Sequence, residues 1–402
     1  MIKKVKVEDL KIGVFVDDFN CNWNSKILYI EPCFIENDNI IDILKSWEIK
    51  EVSIDTERGI DVNRSKTLHD VKRETAGIDQ MRKVSRPLVP LARELQSAKQ
   101  ISQDAIKMAQ RTIEEVREGK IPDVDSSYEL AKRMNESINR NRDALLLLTQ
   151  IRTKDEYTLY HSISVSSLVL NMCHYCQISE HQALDLAVGA MFHDIGKTLV
   201  PQNILNKPSK LTEEEYCEMQ RHAEHSMTLL SKVKGLPLEC YDIALHHHER
   251  YDGKGYPHGL KKSQISYGAQ MTAVCDVFDA ITSERCYKPG RNAIMGLRKI
   301  YEGNDTLFSK EITHDFIQSV GIYPVGTCVV LADDRCGVVV GSTENTRRPI
   351  VQVFYDEKKK ERIKPLKIDL SKTKDDITCY CDPKKMGFTS DQLLKFFLPS
   401  QS

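Results

Sequence analysis

Five short stretches decide how this chain reads: DEYTLYHS (155–162), HDIGK (193–197), RHAEH (221–225), HHHERYDGKGYPHGL (246–260) and CDVFDA (275–280). Ten of the 12 histidines lie between His161 and His258, interleaved with acids. Neutral imidazole is the commonest transition-metal ligand, and carboxylates can bridge two ions. One histidine would carry little weight. Five separated clusters, each set at a helical stretch, point to a site that holds divalent metal beside a hydrolysable phosphate.

Working outward, nearly everything from Ser126 to Val320 has helical periodicity, as in QALDLAVGAMFH (182–193) and YGAQMTAVCDVFDAI (267–281). Thr212 followed by Glu215 is a capping-box signature opening a helix that carries His222 and His225. Residues 1–63 read as a small α/β domain, with strands at the N-terminus, at 14–17 and at 51–55, and a helix over 40–47. Residues 64–125 are charged and helical, a connector that Pro87 and Pro90 bend or restart. From 321 to 402 alternating apolar runs at 327–331, 336–341 and 350–355 indicate a small β-rich, barrel-like extension, with the run KKKER (358–362) a solvated turn. The expected class is mainly α: an all-α domain over 126–320 between these two flanks.

Composition narrows the function. A chain of 402 residues has room for two or three cores. A formal net charge of −1 argues against a basic surface for a nucleic-acid polymer. No run approaches the roughly 20 apolar residues of a membrane span, and MIKKVKVEDL lacks the apolar core of a signal peptide, so a cytoplasmic protein is expected. The 12 cysteines are spread along the chain; Cys173 and Cys176 (CxxC) and Cys379 and Cys381 (CxC) read as packed, reduced thiols.

The chemistry of the clusters follows from their residue types. His193 and Asp194 close an apolar helix, Gly196 lets the chain turn, and Lys197 sets a cation near the metals for a phosphate oxygen. His161, His222, His247, His248 and Asp276 complete a plausible ligand set. The loop DGKGYPHG cannot be helical, and its glycines permit close backbone approach. Two ions about 3.5–4 Å apart would hold a water between them and bring its pKa toward neutrality, and the hydroxide would attack a phosphodiester in line.

At this point the chain resembles the HD-GYP family, a branch of the HD phosphohydrolase superfamily. The matching segments are HDIGK, KPSKLTEEEY (207–216) ahead of RHAEH, HHERYDGKGYP (247–257) and DVFDAITSERCYK (276–288). The first 63 residues resemble a small domain often fused ahead of such catalytic domains. The resemblance implies metal ligands at His161, His193, Asp194, His222, His247, His248 and Asp276, with Asp194 bridging two ions, usually iron or manganese. It implies that Lys197, Tyr256, Arg285 and Lys288 grip the substrate phosphate. It implies a bacterial signalling enzyme that hydrolyses cyclic di-GMP to linear pGpG, sometimes onward to GMP.

Some family members hold a third metal through a glutamate four residues before the position of His161; here Tyr157 stands there and the neighbouring Glu156 faces about 100° away, so two metals are expected. Three consecutive histidines (246–248) stand where the motif needs two, and His246 reads as a helix-surface or supporting residue. His258 and His225 read as ordinary surface or packing residues. Asp279, one turn after Asp276, is a candidate to orient a ligand imidazole. A 3′,3′-cyclic GMP-AMP phosphodiesterase, or a catalytically silent cyclic-dinucleotide sensor acting through partner proteins, are the alternatives. The long helices of 64–120 leave room for a homodimer.

Overall fold

The computed structural model describes residues 2–18, 33–35, 38–46, 50–55, 87–150, 157–207, 209–283, 293–343, 345 and 347–397. Two compact units are each assembled from separate segments: 1–82, 113–124 and 192–270 in one, 83–112, 125–191 and 271–402 in the other.

In the first unit, strands β1 (Ile2–Lys6), β2 (Phe15–Asp18), β3 (Cys33–Phe34) and β4 (Glu51–Asp55) form an antiparallel sheet in the order β1-β4-β2-β3. Val14, Val16, Val52 and Ile54 on one face meet Ile41 and Leu44 of the helix Asp38–Ser46. The two-residue β3 carries no period long enough to be read in sequence, and was not expected. Leu238, first residue of the helix Leu238–His246, packs on this same core. The N-terminal sheet thus braces the helix that ends at the triple histidine.

The helix that Thr212 opens ends at Gln220 and His222 starts a separate helix, so the single helix expected to carry His222 and His225 is broken at Arg221. The capping box at Thr212 is present: its hydroxyl accepts from the Glu215 N–H, and Glu215 accepts from the Thr212 N–H at 2.8 Å. From the third residue of HDIGK the chain makes a 3-10 turn over Ile195–Leu199, packed on the helix His222–Leu230. Gly196 serves that packing more than the turn itself. A β-carbon there would sit 2.0 Å from His222 O and 2.4 Å from Ser226 N.

The second unit holds the long helices. Pro90 stands immediately before the helix Leu91–Arg117, as a restart requires; the start of the connector (64–86) lies outside the described residues. The next helix, Val124–Gln150, breaks at Asn141 (φ −160°, ψ 101°). The break has a partner: Asn141 Nδ2–H donates to Val89 O at 2.8 Å, and Arg140 O accepts from the Leu88 and Val89 N–H groups. Arg140 also forms a two-pronged pair with buried Glu94, which accepts from Ser137 as well. The helices Tyr157–Cys176 and Lys310–Val320 pack together in this unit.

Strands β5 (Cys328–Leu331), β6 (Arg335–Gly341), β7 (Ile350–Asp356), β8 (Glu361–Asp369) and β9 (Ile377–Tyr380) form an antiparallel sheet in the order β8-β7-β6-β5-β9. The expected β-rich extension is there, but among the described residues it is an open sheet with β8 and β9 at its edges. Val329, Leu331, Val338, Val351 and Phe354 pack with Leu95 and Leu147 of the long helices. The lysine run turns at 357–360 as expected, and β8 starts at Glu361. No helix among the described residues is long and apolar enough to cross a membrane.

Candidate metal centre

In the first unit Asp194, His222, His247 and His248 each direct a donor atom to one place, all within 4.8 Å of one another. Asp194 follows the helix Glu180–Phe192, His222 opens a helix, and His247 and His248 follow the end of Leu238–His246. The histidine tautomers can be derived. His222 Nδ1 lies 2.6 Å from Met219 O, and His247 Nδ1 lies 3.1 Å from both Ile243 O and Ala244 O. Carbonyl oxygens only accept, so both Nδ1 atoms carry hydrogen and Nε2 is the inward atom.

Those inward atoms crowd together. His222 Nε2 and His247 Nε2 are 3.5 Å apart, and Asp194 Oδ1 lies 3.3 Å from the first and 3.6 Å from the second. Burial first, and the neighbouring imidazoles His193 and His222, bring the His247 pKa down to about 4 against the pull of Asp194, so its Nε2 offers a lone pair at neutral pH. Burial also opposes ionisation of Asp194, but Lys197 and then His193 hold its carboxyl well below the usual range. A charged oxygen and a lone pair aimed at one point repel unless a cation lies between them. The donor set therefore fits a divalent metal.

His193, fully buried, sets Nε2 3.4 Å from Asp194 Oδ2, and Lys197 Nζ pairs with that same oxygen at 2.5 Å. The lysine expected to face phosphate thus stands at the Asp194 carboxylate. Tyr256 lies over the site, its ring 4.8 Å from that of His248. Gly255 makes this possible: a β-carbon there would fall 2.6 Å from His248 O and 2.4 Å from Arg250 N.

In the second unit His161 Nε2 lies 3.1 Å from Asp276 Oδ1, while His161 Nδ1 lies 2.8 Å from Asp279 Oδ2. Asp279 also accepts from Ser164 at 2.5 Å. Burial disfavours a charged ring, yet the two carboxylates outweigh it and raise His161 from 6.5 to about 9. A proton on Nε2 there does for Asp276 what a metal cation would do. Asp279 orients the ring, the arrangement that commonly supports a ligating histidine.

Arg285 and Lys288 lie outside the described residues, as do Glu156 and the side chain of Tyr157. Sequence reasoning missed Glu249, Asp242 and Ser266. All three are buried polar groups, and HHHER and YDIAL offered only ordinary helical acids as a signal. It also placed His246 on a helix surface or in a supporting role; the structure buries it, hydrogen-bonded to Asp242.

A buried carboxylate among helix-end imidazoles, with a lysine on the carboxylate, defines a divalent-metal hydrolase centre of the HD type. The comparisons agree. The HD domain family matches residues 126–312, and a domain of unknown function (DUF3391) matches residues 2–126. A cyclic di-GMP phosphodiesterase of Pseudomonas aeruginosa is 33% identical over 374 residues, 92% of this chain and 90% of that protein. A 3′3′-cGAMP-specific phosphodiesterase of Vibrio cholerae is 37% identical over 36% of this chain and 33% of its own. A cyclic di-GMP phosphodiesterase response regulator of Xanthomonas campestris is 36% identical over 44% of this chain and 48% of its own. The chain belongs to the HD-GYP family of HD-domain phosphohydrolases, with the small N-terminal domain fused ahead.

Proposed function

We propose that this protein hydrolyses cyclic di-GMP to linear pGpG, using two divalent cations held by His161, His193, Asp194, His222, His247, His248 and Asp276. The observation that carries the reading is the inward set of Asp194, His222, His247 and His248, with Lys197 on the carboxylate. Mixed imidazole and carboxylate donors suit borderline cations such as iron or manganese. When bound, such ions supply Lewis acidity and an acidified water.

The chain's own residues do the rest. Asp194 stays ionised through Lys197 and the imidazoles, and presents Oδ1 to the ring nitrogens of His222 and His247. Nδ1–H bonds to backbone carbonyls fix His222 and His247, and Asp279 fixes His161. Lys197 holds the Asp194 carboxylate, and Arg285 and Lys288 offset charge on the phosphate oxygens; such fixed charge acts most strongly where water is excluded. Tyr256 covers the donors and bounds the substrate. The attacking water's oxygen ends on phosphorus, the bond to the 3′ oxygen breaks, and a proton ends on that departing oxygen.

The 3′3′-cGAMP-specific relative supports a second substrate, because phosphate-facing residues do not read the base. Incubating iron- or manganese-loaded protein with each dinucleotide, with chromatography of products, tests both readings. Linear pGpG from wild type and none from Asp194→Ala is the expected result. Equal turnover by Asp194→Ala would remove the assignment.

A further inference from the structure

Beside the metal donors runs a second string of polar groups, most of it buried. Ser266 donates its hydroxyl to Asp242 Oδ2, and its own oxygen accepts the Ala269 N–H at the start of the helix Tyr267–Thr282. Asp242 Oδ1 lies 2.6 Å from His246 Nδ1. A carboxylate only accepts, so this nitrogen carries the hydrogen. The other ring nitrogen, Nε2, shares a hydrogen with Nδ1 of His258 at 2.9 Å. Ser266, Asp242 and His246 are 3%, 5% and 2% exposed, whereas His258 sits on the exposed loop.

That loop, 251–260, contains no helix or strand, and both backbone and side-chain hydrogen bonds hold it. Glu249, 3% exposed, accepts the backbone N–H of His258 at 2.7 Å and of Leu260 at 3.0 Å. The Tyr256 N–H reaches His248 O at 3.3 Å. His246 and Glu249 flank the two ligand histidines in sequence, and both fasten the far side of the loop. Both ring nitrogens of His246 are engaged, one by Asp242 and one by His258, which separates its task from that of His247 and His248.

We propose that Asp242, His246 and His258 are positioning residues: they clamp the 251–260 loop to the end of the histidine-bearing helix and thereby fix Tyr256 over His248. The third consecutive histidine is then a loop anchor paired with the histidine after the GYP turn. The clamp is a statement about the loop; its effect on substrate affinity rests on the functional reading above.

Two measurements on full-length protein test it. Limited trypsin digestion reads the loop directly, at the exposed Lys254–Gly255 bond. His258→Leu removes the exposed end of the string, where refolding of the core is not at stake. Cleavage at Lys254 is expected to accelerate roughly five- to tenfold, the equivalent of one net hydrogen bond, with metal content unchanged. The KM for cyclic di-GMP should rise by a similar factor while kcat holds. His246→Gln, whose amide still reaches toward His258, should restore much of the protection that His246→Leu loses. Unchanged cleavage in His258→Leu overturns the clamp. Faster cleavage with an unmoved KM overturns its role in substrate placement. If neither dinucleotide is turned over, the functional reading falls while the cleavage rate still decides the clamp.

Discussion

Replacing Gly196 with alanine puts one methyl group where the structure has no room for it. The added carbon would stand 2.0 Å from His222 O, 2.4 Å from Ser226 N and 2.8 Å from Ser226 Oγ. Two of these are backbone atoms, so no side-chain rotation relieves them. The helix His222–Leu230 must retreat by about 1 Å to reach tolerable contact, and overpacking of this kind costs about 1–3 kcal/mol. The same shift breaks a stitch in which the Gly196 N–H donates to Ser226 Oγ at 2.8 Å and Ser226 donates to His193 O at 2.9 Å. It also draws His222 Nε2 away from Asp194 Oδ1, now 3.3 Å distant. Metal affinity should fall on the order of 10- to 100-fold, as when the support of a ligand is lost. The assay is metal retention against a graded chelator, alongside thermal unfolding of the stripped protein. Gly321→Ala is the control: its φ of +86° makes alanine strained, but nothing lies within 4 Å of the added carbon. It should lower stability and leave metal affinity alone. Full metal retention by Gly196→Ala would refute the idea that this close approach sets the donor geometry.

Three more outcomes are expected. Asp279→Asn removes the charge that orients His161 and should weaken metal binding roughly 10- to 100-fold, read by calorimetric titration; an unchanged affinity would show that His161 needs no such support. His161 is raised from 6.5 to about 9 in the metal-free protein, so the folded state binds this proton more tightly than the unfolded chain. That stabilisation is full below about pH 6.5 and is lost as pH rises through about 9. The thermal midpoint of stripped wild type should therefore fall over this window relative to His161→Gln, and metal uptake near pH 7.5 should release about one proton, measured in buffers of different ionisation enthalpy. No proton release would contradict the arrangement. Finally, metal at 100 times its dissociation constant should stabilise the fold by about 2.7 kcal/mol, a shift that a chelator reverses and that His247→Ala lacks.

The clustered histidines and aspartates proposed as ligands stood out in the chain because metal chemistry restricts residue type, and the structure brings Asp194, His222, His247 and His248 within 4.8 Å of one another. The Thr212 capping box and the strands at 328–331, 335–341 and 350–356 were legible because local propensity and pattern act over a few residues, whereas the strands Glu361–Asp369 and Ile377–Tyr380 were not read. What tertiary structure alone decided is how those local pieces are held. Gly196 reads as a turn glycine, and only packing shows the helix backbone pressed against it. Asp242, Glu249 and Ser266 read as ordinary polar residues, and only burial turns them into obligatory hydrogen-bond partners. His246 is the sharpest case, since three identical side chains in a row differ solely in direction. The helix ends at His246 and the chain turns through His247 and His248, and what each side chain meets, Asp242 and His258 or the Asp194 carboxylate, is set largely by segments distant in sequence.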